Sequence, residues 1–225
     1  MLGVFLNAGA VAIAGILGVL FKKKLPDGIS ESLIKALGLC VLVLGLSSAL
    51  KTQNVSLVML SIAIGTLTGE LLKLDDKVNG AGKNVGEKLR NLGGGSISEG
   101  FIAGTLMFVI GSLAIIGSIE AGVSNDISLL ISKSVLDGIL ALFLAATLGI
   151  GVALSSISIL IFQGALVLLA SGLTSFMTPE FILEISAVGG ILVSGIGLNF
   201  TGATKLKITN MLPALLIPFI WFLLF

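Results

Sequence analysis

The sequence predicts an all-α fold, a polytopic membrane helix bundle of about eight transmembrane helices, and three observations point to it. First, the 225-residue chain is 56% hydrophobic and only 11% charged, with a mean hydropathy of +1.16. Soluble domains are about 25% charged, so in water this chain would lack the polar surface to cover itself. Lipid removes that problem, because it does not penalise apolar faces. Second, apolar stretches near the ~20 residues needed to cross the hydrocarbon recur from end to end. Third, glycine occurs 30 times; it is tolerated in membrane helices and lets two helices approach closely. The length suits one compact bundle, so 1–225 reads as a single transmembrane domain.

The spans follow in order. Span 1 is about 4–21 and is ended by Lys22, Lys23 and Lys24. A cleaved signal peptide carries its positive charge first, so this stretch reads as a retained helix. Span 2 is about 31–50, span 3 about 55–73 and span 4 about 99–119. Span 5 is about 129–150 and span 6 about 155–174; no charge separates them, but Gly149, Gly151, Ser155 and Ser156 make a reasonable hairpin. Span 7 is about 182–200, and span 8, about 209–225, carries Pro213 and Pro218.

Loop charge tests this division. Cytoplasmic loops collect Lys and Arg. Loop 1 holds Lys22, Lys23 and Lys24, loop 3 holds Lys73, Lys77, Lys83, Lys88 and Arg90, and loop 7 holds Lys205 and Lys207. All are odd loops, which share one side only if spans 5 and 6 are separate. The even loops hold little beyond Lys51, with Lys133 near an outer helix end. The expectation is therefore a multi-pass protein of the cytoplasmic (inner) membrane with both termini outside. Segment 74–98 is then a cytoplasmic loop. Val85, Leu89 and Leu92 recur there at helical spacing beside Lys88 and Arg90, which fits a surface-lying amphipathic helix or a solvated loop.

Spans 2 and 7 align without a gap: Gly38 falls on Gly190 and Gly45-Leu46 on Gly197-Leu198. Asn7 in span 1 matches Gln163 in span 6, and Asn54 and Asn210 precede spans 3 and 8. Spans 1–3 thus read as an inverted repeat of spans 6–8, a common transporter plan with the binding site near the repeat interface. Chance alignment of Gly-rich helices is the competing reading.

Several segments carry a family resemblance: MFVIGSLAIIGSIEAG (107–122), KSVLDG (133–138), GIGVALSS (149–156), FQG (162–164), GGILVSGIGLN (189–199) and NMLP (210–213). In this order, across essentially the whole chain, they resemble the bacterial membrane family known as domain of unknown function 554. Members often have Gly-Pro where this chain has Gly111-Ser112, so the resemblance does not carry over a proline break there. It implies a bacterial cytoplasmic membrane protein and supplies no activity.

Function must then come from polar groups inside the spans. A charge at the bilayer centre costs at least about 2.5–3.5 kcal/mol, so each one needs a reason. Asp137 lies about two turns into span 5. It reads as an ion or proton site, or as the partner of Lys133 one turn earlier, or as both. Glu70, near the inner end of span 3, reads foremost as an interfacial partner of Lys73. Glu120 and Glu184, near outer helix ends, fit a vestibule or ordinary helix-end carboxylates. The amides Asn7, Gln163 and Asn199 need partners in lipid, either in a shared polar path or in interhelical hydrogen bonds. Gly111-Ser112 and Gly117-Ser118 can kink span 4 or free carbonyls for an ion. Ser186, Gly190 and Ser194 follow a close-packing spacing.

Three functions remain. A transporter or channel for a small ion or solute uses every feature above. A membrane assembly or scaffold protein would need no polar interior. An intramembrane enzyme would need a nucleophile and base or a metal, but the chain has no His and one Cys, and Lys133 and Ser134 point about 100° apart on a helix. The reading is therefore a non-enzyme without a cofactor. GAGKNVG (80–86) lacks the Gly-Lys-Ser/Thr ending of a phosphate loop. The partners are the lipid bilayer and a small ion or solute, with a homo-oligomer left open. The net charge of +1 gives no field for nucleic acid.

Overall fold

The computed structural model describes residues 1–22, 27–80, 97–109, 111–173 and 178–224. Among these residues the chain is mostly helical and has no strand; residues 74–80, the start of the segment expected as a loop, are helical too. The amphipathic stretch around Val85, Leu89 and Leu92, the basic residues Lys83, Lys88 and Arg90, and Lys23 and Lys24 lie outside the described residues.

The helices are α1 (Leu2–Lys22), α2 (Asp27–Ala49), α3 (Val55–Leu72), α4 (Ile97–Val109), α5 (Ser112–Val123), α6 (Ser128–Leu148), α7 (Gly151–Leu154), α8 (Ser156–Leu173), α9 (Pro179–Thr201), α10 (Ile208–Met211), a 3-10 turn (Leu212–Leu215) and α11 (Leu216–Leu224). Six stretches are long and apolar enough to cross a membrane: α1, Glu31–Ala49, α3, α6, Gly151–Gly172 and α9. The pair α4–α5 makes a seventh if it is one bent span. Ile208–Leu224 is a shorter apolar helix. The eightfold division is thus approximate.

Two spans depart from a continuous helix. Span 4, read as one helix over about 99–119, is α4 and α5, bent by 58°. Gly111, in extended backbone at φ 174°, interrupts it without a proline. Span 8 is interrupted by the 3-10 turn at Pro213, whose ring removes a backbone donor. The expected break between spans 5 and 6 falls at Gly149, which closes α6 at φ 84°.

The chain forms two compact units. One comprises Met1–Ile34 and Ala81–Thr174, the other Lys35–Gly80 and Ser175–Phe225. In the first, α1 lies along α6, its most extensive contact. A Cβ on Gly3 would stand 2.9 Å from Leu130 Cβ, while Gly18 abuts Leu142 and Ala145. These contacts advance together along both helices, so α1 and α6 run parallel. The contacts of α1 with α8 and the short α7 before it, Asn7 with Gln163 and Gly15 with Ala153, advance in opposite senses, so α1 runs antiparallel to them. Val4, Ala121, Leu130 and Val167 form the core where α1, α5, α6 and α8 meet.

In the second unit α9 is the central helix, with 83% of its apolar window buried. Thr178 caps its start by accepting from Phe181 N at 3.2 Å, and Pro179 occupies a first-turn position whose N–H has no intrahelical partner anyway. α2 crosses α9 antiparallel with backbones nearly touching. A Cβ on Gly38 would lie 2.9 Å from Gly197 O, and one on Gly45 would lie 2.6 Å from Gly190 O. Only glycine permits this approach. Phe181 stacks edge-on against Phe219 and Phe222 of α11, with centroids 4.7 and 5.6 Å apart.

Candidate functional site

Four of the polar residues singled out in the sequence come together in the first unit. α6 places Lys133 and Asp137 one turn apart on its inward face, 6% and 4% exposed, and Lys133 Nζ donates to Asp137 Oδ2 at 2.6 Å. Neither group is compensated by solvent, so the pair neutralises itself. The order Lys then Asp is the less favourable one on a helix, because lysine must fold back against the direction its Cα–Cβ bond sets. Ser134, beside the pair, gives its hydroxyl to Leu130 O at 2.6 Å.

α1 brings in Asn7 and α8 brings in Gln163, both fully buried. Asn7 Nδ2 donates to Gln163 Oε1 at 3.3 Å, and the Asn7 amide also lies against the Asp137 carboxylate. The result is a chain of contacts across three helices: Lys133, Asp137, Asn7, Gln163. It is not fully satisfied. Among the described residues Asn7 Oδ1 and Gln163 Nε2 have no hydrogen-bond partner. An unpaired buried polar atom costs about 1–3 kcal/mol, so this arrangement is an expensive one to keep for packing alone. One unpaired acceptor and one unpaired donor on touching amides can receive a polar guest.

The remaining candidates lie elsewhere. In the second unit Glu184 is 3% exposed and ties the turn between α2 and α3, accepting from Thr52 Oγ1 at 2.5 Å, Gln53 N at 2.8 Å and Asn54 N at 3.0 Å. This carboxylate is thus engaged in holding that turn. Asn199 closes the turn after α9: its Oδ1 accepts from Thr204 Oγ1 and Leu206 N, and its Nδ2 donates to Leu206 O. Glu70 is exposed on the last turn of α3. The expected pair with Lys73 is replaced by a backbone cap, Lys73 N–H donating to Glu70 O and Gly69 O, and no side-chain ion pair joins the two among the described residues. Lys73 is in the left-handed region, φ 51°. In the first unit Glu120 is half-buried, and its carbonyl receives Ser124. Ser112 opens α5, but its side chain lies outside the described residues.

Sequence reading passed over three polar contacts: the Thr52–Asn54 turn held by Glu184, the bond from Asp75 N to Asn210 Oδ1 at 2.7 Å, and the Thr105–Ser158 bond at 2.9 Å between α4 and α8. Thr52 and Asn54 between two apolar runs were the available signal for the first. No grouping of three or more His, Cys, Asp or Glu suited to a metal occurs among the described residues.

A helical membrane protein with a buried charged and amide cluster is the class that this architecture defines. The model of the family described as "Protein of unknown function (DUF554)" matches residues 2–223, and the chain belongs to that family. It is 33% identical over 224 residues to "Uncharacterized membrane protein YdfK" of Bacillus subtilis strain 168, covering 97% of this chain and 94% of that one. It is 35% identical over 221 residues to "Uncharacterized protein YqgA" of Escherichia coli strain K12, covering 96% and 94%. No solved structure matches.

Proposed function

We propose that this protein is a transporter or channel for a small ion or small solute, and that the cluster of Lys133, Asp137, Asn7 and Gln163 is its polar site. The observation that carries the reading is the incomplete satisfaction of that cluster. A scaffold gains nothing from burying a charged pair and two half-paired amides between apolar helices, since apolar residues of similar volume pack at least as well. Enzyme chemistry finds no support: Ser134 is engaged with a backbone carbonyl, and Lys133 with Asp137.

We read spans 1–3 and 6–8 as an inverted repeat, which would fit the transporter plan. If Gly38 corresponds to Gly190 and Gly45 to Gly197, every α2–α9 contact should recur with its partners exchanged. A Cβ on Gly38 meets Gly197 O at 2.9 Å, and one on Gly190 meets the corresponding Gly45 O at 2.6 Å. Gly38 meets Thr201 N at 2.9 Å, and Gly190 meets the corresponding Ala49 N at 2.7 Å. Gly45 meets Ser194 N at 2.5 Å, and Gly197 meets the corresponding Leu42 N at 2.5 Å. Two antiparallel helices in contact are locally two-fold whatever their sequences; what supports the repeat is that glycines stand at corresponding positions of both. Asn7 and Gln163, aligned in the same reading, are hydrogen-bonded to each other. Discontinuous spans are the usual companions of this plan, and α4–α5 is one.

The setting we infer is the bacterial inner membrane with both termini outside, from the basic odd loops. Parallel α1 and α6 and antiparallel α2 and α9 agree with alternating crossings in which α4–α5 counts once. Purified protein in liposomes, assayed against a panel of ions and neutral solutes, tests the function. Flux of one class above protein-free liposomes supports it; no flux of any class, in vesicles shown to contain folded protein, refutes it.

A further inference from the structure

Building on that reading, we propose that the Asp137 carboxylate is the binding site of a monovalent alkali cation, and that the Lys133 ammonium is a built-in competitor which the cation displaces. The geometry has three parts. The carboxylate is buried, and its charged partner is Lys133, held at 2.6 Å. The group beside it, Asn7, is fully buried with an oxygen that lacks a partner among the described residues. An amide is reversible: it offers its NH₂ to a carboxylate when that carboxylate stands alone, and its oxygen to a cation when one arrives. Turned over, Asn7 presents Oδ1 toward the carboxylate and toward Gln163 Oε1. Two amide oxygens facing each other repel unless a cation lies between them.

The exchange conserves charge. The Lys133 Nζ–H···Oδ2 contact breaks, oxygen–cation contacts form, and the ammonium keeps its protons and leaves. It has a place to go. Lys133 is in the second turn of α6, its Cα–Cβ bond is tilted toward the helix start, and once released from Asp137 its chain is long enough to snorkel that way. The turn ahead of α6 carries the exposed carboxylate of Asp126, held below the usual carboxylate range by hydrogen bonds from Ser128 and so negatively charged to receive it. One carboxylate balances one positive charge, so a divalent ion would leave an uncompensated charge in the bilayer. Oxygen-only ligands suit hard alkali ions rather than transition metals.

The test is thermal unfolding of the purified full chain in detergent, with NaCl, KCl or N-methylglucamine chloride at equal ionic strength. Saturable stabilisation by Na⁺ or K⁺ over N-methylglucamine is expected in the wild type. Lys133→Gln, with the competitor gone, should reach half-saturation at roughly tenfold lower cation, and Asp137→Asn should lose the effect. Asn7→Ala should raise the half-saturating concentration roughly tenfold, and it decides the matter if Lys133→Gln does not fold. No cation effect in the wild type, or an effect undiminished in Asp137→Asn, overturns the proposal. Flux without cation binding at Asp137 would leave the transport reading standing and this one refuted. Binding without any flux would do the reverse.

Discussion

Replacing Gly45 by alanine tests the α2–α9 crossing most sharply. The added Cβ would stand 2.5 Å from both Ser194 N and Ser194 Oγ and 2.6 Å from Gly190 O. Carbon contacts are comfortable at about 3.5 Å, so the helices must separate locally by roughly 1 Å. The obstructing atoms are mostly backbone of the central helix, and no side-chain rotation relieves them. Overpacking of this kind costs about 1–3 kcal/mol. At roughly 2–4 °C per kcal/mol for a chain of this size, Gly45→Ala should lower Tm by several degrees. Gly190→Ala, whose Cβ meets Gly45 O at 2.6 Å and Ala49 N at 2.7 Å, should cost about the same, because the contacts are reciprocal. Gly9→Ala in α1, where nothing lies within 4 Å, is the control and should not lower Tm. Thermal unfolding of the purified variants followed by size-exclusion fluorescence reads all three. A Gly45→Ala protein as stable as wild type, or one no worse than Gly9→Ala, would refute the close backbone crossing.

Other substitutions separate the remaining contacts. Lys133→Met alone, which leaves the buried Asp137 carboxylate unpaired, should destabilise by about 3–5 kcal/mol, and the pair Lys133→Met with Asp137→Leu should recover most of it; equal loss in single and double variants would contradict a self-neutralising pair. Glu184→Gln should cost about 1.5–3 kcal/mol, because a carboxylate with several donors becomes a neutral amide, whereas Glu120→Gln should cost little; chemical denaturation of both distinguishes them. With Cys40→Ala as background, an impermeant thiol reagent applied to intact cells should label a cysteine at Ser124 and not one at Gly82. The opposite pattern overturns the assigned sidedness.

Hydropathy and charge made the helical membrane architecture legible, because both act locally along the chain. The six long apolar helices and the break at Gly149 follow from run length and turn chemistry. The 58° bend within span 4 was only half legible: Gly111-Ser112 marks a weak point, but weakness does not say whether a helix bends. Site residues divide in the same way. Lys133 with Asp137 is an i,i+4 relation and can be read off one helix. Asn7 with Gln163 is separated by 156 positions, and only their rarity as amides in apolar runs and the alignment of spans 1 and 6 drew them together. Glu184 illustrates the limit. Its partners Thr52, Gln53 and Asn54 lie 130 to 132 residues away, and a carboxylate near a helix end carries no mark of the turn it will hold.

The central claim is that a small ion or solute passes by way of the cluster around Asp137. The most direct measurement is flux into liposomes of wild-type protein and of Asp137→Asn, with equal insertion and retained fold verified in both. Asparagine keeps the shape of the side chain and removes its charge. The account predicts flux in the wild type and its loss in Asp137→Asn; undiminished flux in a folded Asp137→Asn protein would contradict it.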